Sequence, residues 1–248
     1  MWETIELPDA DGPVRKEEDR IPAKQLALSP AHCVIDALQC KPFQYGQFFS
    51  YHDVTGHSMA VVVADHKYRP LQRPAYNVEV KGVIMHPSFD NSVSTSGFDI
   101  ALLQLNREVK RSRWTEYACL PEPGFSLPTG HFCNFAGWGR IPNPPHLPTP
   151  RLSETLMEVR IPISSTAACK FMRGFSDETE AFCTNNLYGA LCAGDSGGGL
   201  HCVTQGGSKW FVYGVLSNSP ENCTRGFDVF AFTATKLSWI EQVINSNP

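Results

Sequence analysis

The sequence predicts an all-β chain, arranged as barrels or a sandwich, and three observations carry that prediction. Short apolar runs bounded by turn residues recur along most of the length, one of them alternates cleanly, and only two stretches have helical spacing. In order, the candidate strands are AVVVA (60–64), NVEVKGVIM (77–85), IALLQL (100–105), TLMEVRIPI (155–163), WFVYGVLS (210–217) and DVFAFT (228–233). In the fourth, Met157, Val159, Ile161 and Ile163 alternate with other residues, as a strand with one buried face requires. The helical candidates are SSTAACKFM (164–172), which opens on capping-type serines, and TATKLSWIEQVIN (233–245), which puts Leu237, Ile240 and Ile244 on one face. The proline cluster PNPPHLPTP (142–150) reads as a stiff surface loop.

Composition bounds the function. The chain has 248 residues, 42% hydrophobic and 19% charged, enough for a sizeable core. A net charge of −4 gives no pull toward nucleic acid, and no apolar run approaches the roughly 18 residues of a membrane span. Nine cysteines suggest disulfides and an oxidising, extracellular destination. Residues 1–20 carry seven acids and three bases with few apolar residues. They have no apolar leader core and read as solvated or disordered. Export without a leader is resolved if the true N-terminus lies upstream. No metal site or cofactor is expected, and a monomer is.

The chemistry concentrates in three places. LCAGDSGGGL (191–200) sets Ser196 among glycines, SPAHCV (29–34) holds His32, and SGFDIALLQL (96–105) puts Asp99 at the mouth of an apolar strand. A serine hydroxyl is a poor nucleophile until a base takes its proton. His32 can be that base, because imidazole titrates near neutrality. Asp99 can hold the tautomer and stabilise the imidazolium. The backbone N–H groups of Gly194 and Ser196 can face a developing oxyanion, with glycine at 194 allowing the turn.

These motifs resemble the trypsin/chymotrypsin family of serine endopeptidases. SPAHCV is similar to the family's TAAHC, FDIALLQL to its DIALL, and GDSGGGL to GDSGGP; IMHPSF (84–89), CNFAGWGR (133–140) and LSWI (237–240) extend the likeness over roughly 27–245. Gly199 stands where the family has proline. The resemblance implies two antiparallel six-stranded β-barrels, the first over about 27–118 and the second over about 131–233. A C-terminal helix over about 234–245 and a catalytic cleft between the barrels complete it. It implies disulfides Cys133–Cys202, Cys169–Cys183 and Cys192–Cys223. Cys33, Cys40 and Cys119 are left over, with Cys33–Cys40 an open alternative. It also implies protein or peptide substrates, and protein protease inhibitors as further partners.

Two departures bear on activity. In relatives, an N-terminus of the type IVGG inserts and neutralises the aspartate before the nucleophile, here Asp195. Only 31 residues precede His32, and none reads as IVGG with the two strands and CGG motif that follow it, so the first barrel is expected to be incomplete. Arg20–Ile21 is no substitute: eleven residues reach roughly 35 Å extended but cannot also form two strands. A buried, unpaired carboxylate costs about 3–5 kcal/mol. Asp195 is therefore expected to turn outward, which spoils the oxyanion hole and leaves a zymogen-like chain. In the primary pocket the resemblance places Ala190 at the floor, Ser217, Asn218 and Ser219 along the substrate strand, and Asp228 at the back wall. Ala190 disfavours cleavage after Arg or Lys and favours medium apolar or aromatic residues, while Asp228 would allow some basic ones. The alternative to an enzyme is a non-catalytic homologue that binds a partner through the same fold. The retained triad argues against it; the missing N-terminal pairing and Asn218, where the family has tryptophan, argue for it.

Overall fold

The computed structural model describes residues 3–6, 25–67, 70–92, 96–141, 151–173, 179–204, 209–220, 223 and 226–246. The proline cluster and most of the N-terminal acidic stretch lie outside them. In chain order the elements are β1 (Glu3–Glu6), β2 (Leu26–Ser29), α1 (Ala31–Leu38), α2 (Tyr51–Thr55), β3 (Ala60–Val63), β4 (Tyr76–Met85), β5 (Ala101–Leu105), β6 (Ala118–Cys119) and β7 (Phe132–Gly137). They continue with β8 (Arg140–Ile141), β9 (Arg151–Leu152), β10 (Met157–Pro162), α3 (Thr166–Arg173), β11 (Ala181–Asn185), β12 (Gly199–Val203), β13 (Trp210–Asn218), β14 (Phe227–Phe232) and α4 (Leu237–Asn245). The all-β prediction holds: two curled antiparallel sheets with a short C-terminal helix.

The second sheet closes on itself. β10 pairs with β7, β7 with β12, β12 with β13, β13 with β14 and β14 with β11, all antiparallel. The Ile163–Thr184 bridge then returns β11 to the end of β10. The first sheet runs β1–β2–β5–β4–β3 and stays open, since among the described residues β3 pairs with β4 alone. The two-residue β6 joins the halves by pairing in parallel with β1 and with β13. β1 lies in the stretch whose composition reads as disordered. Backbone pairing with β2 and β6 is independent of side-chain charge, so composition did not reveal it.

Alternation in the shared strands divides the core. Ala101, Leu103 and Leu105 of β5, with Ala27 of β2, face the first-half core of Val61, Val78, Val83, Met85 and α1. Leu102 of β5, with Ile100, and Leu26 and Leu28 of β2 face the opposite way, toward Val212, Val215 and the apolar face of α4. The second half packs aromatic rings, with Phe182 stacked on Phe230 at 5.3 Å and tilted against Tyr213 at 4.7 Å.

Helix prediction at 233–245 resolves into a 3₁₀ turn at 233–235 followed by α4, which buries Leu237, Ile240, Val243 and Ile244. Between them Lys236, 1% exposed, pairs with the Glu180 carboxylate and lies 4.7 Å from the centre of the Phe98 ring. Helix α1 was not legible in the sequence.

The structure contains disulfides Cys133–Cys202, Cys169–Cys183 and Cys192–Cys223, with Cα separations of 4.6, 6.0 and 5.0 Å. All lie in the second half. Cys33, Cys40 and Cys119 are free, which corrects the Cys33–Cys40 alternative. Cys33 sits in the first turn of α1 and Cys40 beyond its left-handed C-cap at Gln39, at opposite ends of the helix.

Candidate active site

Histidine 32 sits in the first turn of α1, where backbone N–H groups lack intrahelical acceptors. Its own N–H finds Asp99 Oδ1 at 2.9 Å. The other carboxylate oxygen, Oδ2, accepts from His32 Nδ1 at 2.6 Å and from the Ser217 hydroxyl at 2.6 Å. Asp99 is 2% exposed, held by the turn whose Asp99 N–H donates to the Ser96 carbonyl just before β5. Both carboxylate oxygens are thus satisfied, and the imidazole is fixed in ring plane and tautomer.

Burial pulls the His32 imidazole down, but the hydrogen bonds to Asp99 and then Cys33, together with both charges, outweigh it and raise it to about 10. The surroundings of the ring therefore favour its protonated form. Its remaining nitrogen, Nε2, lies 3.3 Å from Cys33 Sγ.

Ser196 follows a turn in which the Asp195 N–H donates to the Cys192 carbonyl. Gly197, at φ +89°, donates to the Leu216 carbonyl, and the Leu216 N–H donates to that of Gly198, which anchors the turn to β13. Gly194 has φ +98°, a conformation that favours glycine. His32, Asp99, Ser196, Ser217, Asn218 and Ser219 line one cleft of about 440 Å³, joined by Asp36, Phe89 and Asn91. Among the described residues no hydrogen bond joins Ser196 to His32. Ala190 is exposed and Asp228 fully buried, and neither lines this cleft.

Asp195 overturns one expectation. It does not turn outward but is buried, accepting from Gly139 N–H at 2.8 Å and Cys192 N–H at 3.0 Å. Two oriented amides supply part of what an ammonium would. Gly137 and Gly139 make the cradle, since a Cβ at either position would collide with the carboxylate. Burial pushes the Asp195 carboxyl up, and the two amide hydrogen bonds pull against it.

Sequence reasoning missed three features. Ser217 was read only as a substrate-strand residue, Cys33 only as a cystine half, and Gly137 and Gly139 had no role. The trypsin family model matches residues 23–240.

The chain belongs to the trypsin family.

Among the trypsin family's curated members, this chain is 31% identical to chymotrypsin-like elastase family member 1 of Macaca fascicularis, over 75% of the chain and 70% of the relative. It is 30% identical to the Homo sapiens counterpart, over 75% and 72%. Phenoloxidase-activating factor 3 of Holotrichia diomphalia is 27% identical, over 73% of this chain and 51% of that protein. A solved structure, that of GrC, shares the fold with a TM-score of 0.67 at 24% identity, covering 88% of this chain and 82% of that one. Membership in the trypsin family supports a serine protease function acting on protein substrates. No helix among the described residues is long and apolar enough to cross a membrane.

Proposed function

We propose that the chain is a secreted serine endopeptidase that cleaves through an acyl-enzyme, with Ser196 as nucleophile, His32 as general base and Asp99 as the group that orients it. The observation that carries this reading is the Asp99 carboxylate, clamped by the His32 backbone, the His32 ring and the Ser217 hydroxyl in the cleft that also holds Ser196. In the reaction Ser196 Oγ attacks the scissile carbonyl while its proton passes to His32 Nε2. The imidazolium, stabilised by Asp99, returns that proton to the leaving amine. The N–H groups of Gly194 and Ser196 receive the oxyanion. Water repeats the sequence to release the acyl group.

The resting chain is read as zymogen-like on a ground different from the outward Asp195: among the described residues no hydrogen bond joins the His32 ring to Ser196, and the surroundings of the ring favour the imidazolium over the free base. Medium apolar or aromatic residues are the preferred side chains before the cut, because Ala190 offers no charge to an Arg or Lys. The second reading, a binding protein without turnover, is favoured by Nε2 contacting Cys33 in place of Ser196.

A fluorophosphonate probe and a series of peptide esters separate the two. The expected result is slow labelling confined to Ser196, rising with pH toward 10, with apolar esters cleaved before arginine ones and both lost in Ser196→Ala. No labelling at any pH from 6 to about 10 would leave the binding-protein reading.

A further inference from the structure

We propose that Lys236 is a positioning residue for the triad: its buried ammonium, paired with Glu180, holds the turn that carries Asp99 in place through the face of Phe98. The inference deepens the hydrolase reading and rests on it.

Among the described residues no other lysine or arginine is buried, and Lys236 is 1% exposed. An ammonium withdrawn from water needs acceptors for its three protons. Lys236 Nζ donates to the Glu180 carboxylate, to the Glu180 carbonyl at 3.3 Å and to the Thr235 hydroxyl at 2.7 Å. The same Glu180 carbonyl accepts the Phe232 N–H at 3.0 Å, which fastens Glu180 to the end of β14. A buried ion pair seldom adds stability beyond what an apolar side chain of similar volume gives. What an apolar side chain cannot supply is a charge facing an aromatic ring.

That ring is Phe98, the residue before Asp99. Nζ lies 4.7 Å from its centre, within reach of a cation–π contact. The His86 imidazole stacks on the same ring at 4.9 Å. Burial, and then the Lys236 charge, push His86 down to about 4 while Glu180 pulls the other way, which favours a neutral ring in the stack. Next to Phe98, Gly97 rests on Glu180 itself: a Cβ at 97 would come within 2.6 Å of the Glu180 carbonyl carbon. Two consecutive residues of the turn thus bear on the Lys236–Glu180 pair. The turn is tied internally as well, with the Phe98 N–H donating to the Ser96 hydroxyl at 3.3 Å and the Asp99 N–H to the Ser96 carbonyl at 3.2 Å. A turn fixed at 97 and 98 sets where the Asp99 carboxylate reaches. Its two 2.6 Å contacts, to the His32 ring and to Ser217, leave little slack.

The test reads the His32–Asp99 hydrogen bond by NMR in the full chain, as the low-field His32 Nδ1–H resonance and the titration midpoint of the ring. Three variants are compared with wild type: Lys236→Met, Phe98→Leu and the double substitution. A fourth form carries a ring-fluorinated phenylalanine at position 98, which keeps the shape of the side chain and weakens the negative face of the ring. In Lys236→Met the resonance is expected to move upfield and the midpoint to fall by about one unit, because the hydrogen bond to Asp99 is what raises the imidazole against burial. Fluorination should give a smaller movement in the same direction, growing with the number of fluorines. The double variant should move no further than the larger single one, since charge and ring act as a unit. A fluorinated chain that behaves as wild type overturns the proposal whatever the substitutions do, because they also change packing. A folded Lys236→Met chain with the wild-type resonance overturns it too. Movement in these forms while Ser196 stays unlabelled by a fluorophosphonate in all of them, wild type included, supports the hold on Asp99 and overturns the hydrolase reading instead.

Discussion

The two halves of the molecule are built to different standards. The second half is a closed ring of six strands with all three disulfides and a stacked aromatic core. The first, among the described residues, is an open sheet ending at β3, with a largely aliphatic core and two free cysteines, Cys33 and Cys40. The proposed nucleophile rides on the cross-linked half, and the proposed base and its aspartate ride on the other. Crosslinks constrain the unfolded chain, while the first half depends on packing alone. The proposed base is therefore mounted on the half that carries no crosslink.

Three perturbations sharpen or break that contrast. The largest is Cys202→Ala, which removes a crosslink over 69 residues and should cost about 4 kcal/mol. Amide exchange should accelerate in β7 and β12 while β4 and β5 keep their protection. Uniform acceleration would show the halves to be one cooperative unit. Next is Leu103→Ala, at a side chain with no exposure in the first-half core, worth about 3 kcal/mol. Urea denaturation gives the total, and exchange should now rise in β2 to β5 with the aromatic core unaffected.

The smallest concerns pH. Burial raises the Asp195 carboxyl above its usual 3.8, so the fold favours its neutral form. That contribution is complete below 3.8 and is lost as pH rises through the elevated value. Thermal midpoints measured against pH should therefore show a downward component in that window that is missing in Asp195→Asn. The amide will lower stability at all pH values, because its NH₂ must face one of two N–H donors, but the slope is the readout. Identical slopes would mean the carboxylate is fully compensated by Gly139 and Cys192.

The strands legible in the sequence were those with length or alternation: β3, β4, β5, β10, β13 and β14. The other eight were not, and four of them show why. β2 (LALS) and β11 (AFCTN) are buried along nearly their whole length, so neither shows a period of two. β12 opens on glycine, and β7 carries a motif, CNFAG, that reads as a signature before it reads as a strand. Helix α1 hid behind Pro30 and a β-branched pair, Val34–Ile35, though it is what aims the His32 N–H at Asp99. At the site, residue identities were legible because three motifs stand in a characteristic order. Their partners were not, because which atom meets Ser217 Oγ or Cys33 Sγ is decided by packing. The misjudged Asp195 shows the same limit: its donors, Gly139 and Cys192, are backbone groups, and sequence does not record where backbone dipoles point.

The Ser217–Asp99 hydrogen bond spans the seam, from the end of β13 to the mouth of β5. Any swing of one half against the other is transmitted through it to the imidazole. In a hydrolase of this design, a slip on the order of 1 Å along that joint would slow turnover by about a hundredfold. Ligands or solvents that change the angle between the halves would then act as throttles without ever entering the cleft.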